Sequence, residues 1–182
     1  QRTGRAGTPS CSTEIDQPEC RPHWTPSVLS SGRSQQHNGG AFLNSTDFAY
    51  LPISGLSRLI ASKDVSPVEV TRASLDRIEA LDGFSSTFLE VLGGSAATQA
   101  QIAEPEIKRG LYRGALHGIP VALKDLCDVE GTVTTAGSKV LGERPSDTDC
   151  ELARRLRAAG AIIIGKTNLH EFAYGGTGVN PH

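Results

Sequence analysis

The sequence contains no methionine and one tryptophan, and aromatic residues make up 5% of its 182 positions. It opens on Gln1. A natural product normally starts with Met, so the chain reads as a processed or partial product. No apolar run reaches the roughly 18 residues that a membrane-spanning helix needs, which excludes a helical span. The first residues also lack the apolar core of a secretory signal, and a cytoplasmic setting is expected. Charge of one sign is not in excess: Lys plus Arg is 18, Asp plus Glu is 20, and the formal net charge is −2. Without a basic field to hold a polyanion, general nucleic-acid binding is excluded. Cysteines number four, Cys11, Cys20, Cys127 and Cys150. Their spacing matches no zinc or redox pattern, so no disulfide framework is expected and a reducing compartment is the default. No internal repeat is visible.

Residues 1–45 differ from the remainder of the chain. They are rich in Ser, Gly, Pro, Thr, Arg and Gln, with Phe42 and Leu43 nearly their only apolar pair. Such a stretch cannot offset its ordering entropy, and it is expected to be a disordered or foreign tail. Cys11, Cys20, His23 and His37 lie in it, but the gap between the cysteines fits no zinc finger. Asn44-Ser45-Thr46 has the letters of a glycosylation sequon, without the signal peptide that would make it one.

From residue 46 the pattern becomes regular. Leu56, Leu59 and Ile60 predict a short helix over 54–62. Ser66-Pro67-Val68-Glu69 predicts a capped helix start, with Val68, Leu75, Ile78 and Leu81 as its apolar face and Gly83 as its stop. Residues 87–92 read as a strand. Residues 96–108 read as a helix that Pro105 would kink or break. A strand over 119–123 is followed by a loop-rich stretch, 125–147. Thr148 or Asp149 is expected to cap the next helix, with Glu151 closing a capping box and Leu152, Leu156 and Ala159 facing inward. Gly160 stops that helix, and Ala161-Ile162-Ile163-Ile164 is a buried strand. The order predicts an α/β fold, a sheet with helices packed on it.

Gly160-Ala161-Ile162-Ile163-Ile164-Gly165-Lys166-Thr167 matches the phosphate-loop pattern letter by letter. The phosphate loop needs an open loop between strand and helix. Here the first glycine follows a helix, and three isoleucines favour a strand. Nucleotide binding is rejected, and Lys166 is placed at a strand end.

The most informative stretch is Leu116-His117-Gly118-Ile119-Pro120-Val121-Ala122-Leu123-Lys124-Asp125. It puts a lysine at the end of an apolar strand, the edge where open α/β sheets carry their sites. Partial burial there would favour the neutral amine and make it a usable base. By position alone, most such lysines are simply solvated.

Further blocks come in order: Gly131-Thr132-Val133-Thr134-Thr135-Ala136-Gly137-Ser138, then Leu156 to Asn168, then Glu171-Phe172-Ala173. With Ser66-Pro67-Val68-Glu69-Val70 and Ile78-Glu79-Ala80-Leu81 upstream, the series resembles the amidase signature family over about 47–182. The resemblance implies the N-terminal part of that fold, a mixed central sheet flanked by helices. It also implies hydrolysis of amide bonds through an acyl-enzyme, by a Ser–cis-Ser–Lys triad. Lys124 matches the family lysine and is the one catalytic residue the resemblance assigns. The Gly/Ser-rich segment that supplies both serines belongs after His182, so this chain by itself is expected to be inactive. Strands expected downstream would leave sheet edges unpaired, and the isolated chain is expected to be unstable or prone to aggregate. The implied partner is a small-molecule amide substrate. A homo-oligomer is compatible with the resemblance, and no metal or organic cofactor is implied. Part of the A-type subunit of a tRNA-dependent glutamine amidotransferase, or a non-catalytic remnant of the same fold, is the alternative.

Other residues take lesser roles. Asp125 either orients the site and accepts loop amides, or is a solvated or loop-capping carboxylate. His117 is a packed turn histidine, and Ser138 and the thiol of Cys127 are structural. Gly93-Gly94-Ser95 is a local turn and cap. Asn168 and Glu171 brace the turn after the last strand, His170 is exposed, and Gly175-Gly176-Thr177-Gly178 is a flexible loop near the substrate.

Overall fold

The computed structural model describes residues 47–180. The expectations for the tail, with Cys11, Cys20, His23 and His37, lie outside the described residues.

After a 3-10 turn at Asp47–Tyr50, the elements are α1 (Ile53–Ser62), α2 (Pro67–Ser85), β1 (Phe88–Val91), α3 (Gly93–Lys108), β2 (Pro120–Lys124), α4 (Glu151–Ala158) and β3 (Ile162–Thr167). A second 3-10 turn covers Glu171–Ala173. The strands form a three-stranded mixed sheet in the order β1-β3-β2. β3 pairs antiparallel with β1 and parallel with β2. The α4 crossover supplies the length that the parallel connection needs.

The start of α2 follows its sequence. The Ser66 hydroxyl accepts the Val68 amide at 3.0 Å, Glu69 accepts the Ser66 amide at 2.8 Å, and Pro67 occupies the first turn. The predicted stop at Gly83 is corrected: α2 runs to Ser85 and closes on Ser86, whose φ is 48°. The stop comes from Asp82, whose carboxylate takes the amides of Thr87 and Phe88 at 2.7 and 3.0 Å. Helix α3 starts at Gly93, so Gly93-Gly94-Ser95 is its first turn and not a cap. Pro105 lies in its last turn, and the helix continues to Lys108.

Helix α4 is also corrected. Its N-cap is Cys150, with no side-chain capping bond. Neither expected cap, Thr148 or Asp149, serves: Asp149 is occupied by the Glu130 amide and the Arg157 guanidinium, while Glu151 binds Arg154 and Arg155. The inner face is set by fully buried Ala153 and half-buried Leu156, and Leu152 is exposed. Leu81 of α2 is likewise exposed.

The sheet is covered on both faces. Ile162 and Ile164 pack with Ala96 and Ala100 of α3, and with Val68, Leu75 and Ile78 of α2. Ile163 faces the other way, against Leu123, Val129 and Ala153. A further cluster joins Leu56 and Ile60 of α1 to Val70, Ala103, Ile107 and Ile119. This period-two division is what a strand buried on both faces requires.

β3 departs from strict alternation at one place. Val121 pairs with Ile163 but Ala122 pairs with Gly165, so Ile164 is an extra residue, a bulge. At Gly165 a Cβ would lie 2.5 Å from the Glu90 carbonyl oxygen and 2.8 Å from a ring carbon of Phe88. Only glycine lets β1 approach this closely. Gly165→Ala is expected to cost about 2 to 3 kcal/mol, as overpacking against backbone does. A urea midpoint unchanged by this substitution would show that β1 is free to move aside.

Candidate active site

Lys124 ends β2, at the edge of the sheet. Its carbonyl accepts the amides of Leu126 and Cys127 at 2.7 and 3.0 Å, which bends the chain sharply after the strand. The Lys124 side chain is exposed in this chain, as most strand-end lysines are. Its place at the end of the strand is the one the sequence indicated.

The buried lysine is Lys166. It is fully enclosed, and its ammonium lies 2.7 Å from the Asp125 carboxylate, itself buried. Lys166 also donates to the Thr134 hydroxyl at 3.0 Å and the Val133 carbonyl at 3.3 Å. The second Asp125 oxygen accepts the amide and hydroxyl of Thr135, at 2.9 and 2.6 Å. Backbone bonds from the Asp125 amide to the Thr167 carbonyl and from the Ala136 amide to the Asp125 carbonyl complete the anchor. Asp125 is therefore neither solvated nor peripheral. It ties β2, β3 and the loop 133–136 together one residue from Lys124, and it accepts a loop amide as one of its two readings expected.

Lys166 was missed as a site residue because strict alternation puts it on the face of Ile162 and Ile164, beneath α2 and α3. The extra residue at Ile164 reverses the phase. Lys166 then pairs with Leu123 and shares its face with Ile163 and the loop. No sequence signal marks that bulge except Gly165, which also fitted the letters of the phosphate loop.

The neighbouring residues brace this loop. Ser138 is buried and donates to Glu171 at 2.6 Å while accepting the Val140 amide, a structural engagement. Asn168 donates to the Ser86 carbonyl and accepts the Leu169 amide. Asn180 donates to the carbonyls of Gly137 and Leu169, closing the segment that holds Gly175–Gly178. His170, expected exposed, is half-buried against Gly175. Among the described residues, no group of three or more His, Cys, Asp or Glu side chains is placed to hold a metal ion. No helix among them is long and apolar enough to cross a membrane.

His117 is packed in the turn before β2, as its sequence context suggested. Its Nδ1 accepts the Arg113 amide at 3.1 Å, and its Nε2 faces Glu106 at 3.2 Å. The Arg113 guanidinium grips Glu106 as well, and Tyr112 stacks on the imidazole. Burial, with the charge of Arg113, pushes the imidazole below its ordinary value against the pull of Glu106. The unfolded chain titrates near 6.5, so in the window just below that value it binds more protons than the folded chain. The stability due to His117 is complete above about pH 6.5 and is lost as pH falls beneath it. Stability measured from about pH 7 to 5 is expected to fall in the parent and to slope less in His117→Gln. Glu106, whose carboxyl is held below its ordinary 4.5 by Arg113, contributes only at lower pH.

The arrangement is therefore an exposed lysine on a braced strand end, immediately followed by a buried carboxylate–lysine pair. The family model for Amidase matches residues 69–182 of the chain. This chain belongs to the amidase signature family. Among curated relatives of this amidase-family chain, the A subunit of glutamyl-tRNA(Gln) amidotransferase from Salinispora tropica is 42% identical over 130 residues, covering 71% of this chain and 26% of the relative. The same protein of Anaeromyxobacter dehalogenans is 43% identical over 121 residues, 66% of this chain and 25% of the relative. Among solved structures, native peptide amidase from Stenotrophomonas maltophilia superposes with a TM-score of 0.65 at 35% identity, covering 70% of this chain and 26% of that one. The chain thus spans about a quarter of the length of these relatives.

Proposed function

We propose that this chain is the lysine-bearing part of an amide-bond hydrolase, with Lys124 as the base of a Ser–cis-Ser–Lys triad. The observation that carries the reading is the placement of Lys124 at the end of β2, on a turn fixed by the buried Asp125–Lys166 pair, in a chain of amidase family. In this chemistry a neutral lysine accepts the nucleophile's proton through the bridging serine. It then returns a proton to the leaving amine as the acyl-enzyme forms. Asp125 and Lys166 are positioning residues that hold the strand end through one another and the loop 133–136.

A lysine serves as base only when its amine is deprotonated, which an enclosed site favours. The 182-residue chain leaves Lys124 exposed, and in this reading the segment that carries both triad serines is not among its residues. Alone, it is expected to be inactive. Release of ammonia from amide substrates by the full-length protein, its loss on substitution of Lys124, and silence of the 182-residue chain test the proposal. Turnover that survives removal of the Lys124 amine would overturn it.

A second reading is favoured by the relatives in the 40–43% identity range, which are glutamyl-tRNA(Gln) amidotransferase A subunits. In it the amide is that of glutamine, and the ammonia passes to a companion subunit's substrate. Glutamine hydrolysis that rises when companion subunits are added would select this reading over a self-sufficient amidase.

A further inference from the structure

The two described cysteines, far apart in sequence, meet in the fold. Both are half-buried free thiols, and both pack on the cluster of Leu123, Val129, Ala153 and Ile163. Their chain segments already lie side by side. The Cys150 amide donates to the Asp128 carbonyl at 2.9 Å, the Gly131 amide to the Ser146 carbonyl at 2.9 Å, and the Ser146 amide to the Thr132 carbonyl at 2.8 Å. The Ser146 hydroxyl and the Glu130 amide add side-chain bonds to Asp128 and Asp149. The Cys150–Asp128 bond sets Cys150 beside the residue that follows Cys127, and both side chains lie against the same buried cluster.

We propose that Cys127 and Cys150 are a reversible disulfide-forming pair that ties the turn after Lys124 to the start of α4. The oxidant is a low-molecular-weight disulfide or another thiol oxidant of that class. Cys150, at the N-cap of α4, loses its proton to solvent and attacks one sulfur of the oxidant. A mixed disulfide forms and one small thiol leaves. The Cys127 thiol then gives up its proton, attacks the Cys150 sulfur and expels the second small thiol. Two protein thiols are oxidised, and one small disulfide is reduced to two thiols. Burial pushes the Cys127 thiol up, as does the neighbouring sulfur, which suits it to the resolving step rather than to first attack. The cross-link constrains the amide that donates to the Lys124 carbonyl, and so the turn that presents this lysine. The pairing is independent of any catalytic role for Lys124.

The test uses the whole chain with glutathione disulfide, followed by alkylation, tryptic digestion and mass spectrometry. The expected product joins the peptide carrying Cys127 to the one carrying Cys150, with a mass lower by two hydrogens, and dithiothreitol reverses it. It is expected to form at least about tenfold faster in native buffer than in urea, because folding holds the sulfurs together. A Cys11→Ser, Cys20→Ser variant, altered only in residues 1–45, gives the same map without competing thiols. Recovery of Cys127 and Cys150 as free thiols or separate glutathione adducts would overturn the proposal, as would equal rates in urea and in native buffer.

Discussion

Lys124→Ala, introduced into the full-length protein, is expected to lower kcat on the order of a thousandfold while leaving the fold untouched. A positioned proton-transfer group contributes roughly a hundred- to ten-thousandfold. A thousandfold loss corresponds to about 4 kcal/mol of transition-state stabilisation. Because the lysine acts in the chemical step, KM is expected to change far less than kcat. Lys124→Arg is not expected to restore activity, since a guanidinium keeps its proton at any working pH. Stability obeys a separate logic. The Lys124 side chain is exposed in this chain, and exposed substitutions usually stay within about 0.5 kcal/mol. The combination to look for is an unchanged melting transition and a lost turnover, both in the full-length protein. Activity kept within about tenfold of the parent by Lys124→Ala would remove the lysine from the chemistry.

Much of this was legible in the sequence where local chemistry decides local structure. Ser66, Pro67 and Glu69 start α2 by bonds that each residue can make within its own turn. Gly160 stops α4 because its φ of 83° is one that side-chain-bearing residues avoid. The three isoleucines of β3 made the central strand plain, and with it the failure of the phosphate-loop reading. What escaped detection depends on partners distant in sequence. Asp149 looks like a cap until Arg157 and Glu130 claim its oxygens. Gly83 is a local exception: the adjacent Asp82 binds the Thr87 and Phe88 amides and sets the stop two residues later. Cys127 and Cys150 fit no spacing rule, because the bonds between 128–132 and 146–150 that align them are tertiary. The site shows the same division. Lys124 was found through a run of local motifs, whereas its exposure and the burial of Lys166 rest on a bulge and on which surfaces the chain covers.

That burial gives the largest expected effect on stability. Lys166→Met keeps the length and packing of the side chain but removes its charge. The Asp125 carboxylate is then left buried with the Thr135 donors alone. Breaking a buried pair from one side typically costs about 3 to 5 kcal/mol, because the remaining charge has lost both water and partner. Asp125→Asn, Lys166→Met together remove both charges and keep an oxygen for Thr135. The double variant is expected to recover a large part of the loss, since replacing an entire buried pair is often nearly neutral. The difference between the double variant and the sum of the singles gives the coupling directly. Urea denaturation of the three variants and the parent measures it, provided the slopes agree. If Lys166→Met cost less than about 1 kcal/mol, Asp125 would have to be reaching water, and the loop 133–136 would be open rather than anchored. If the pair is as tight as its 2.7 Å contact indicates, the same substitution in the full-length protein lowers turnover by displacing the strand end that carries Lys124. The pH profile of the remaining activity then separates positioning from chemistry. Loss of a positioning residue lowers the whole profile, whereas loss of the base removes the limb that its titration creates.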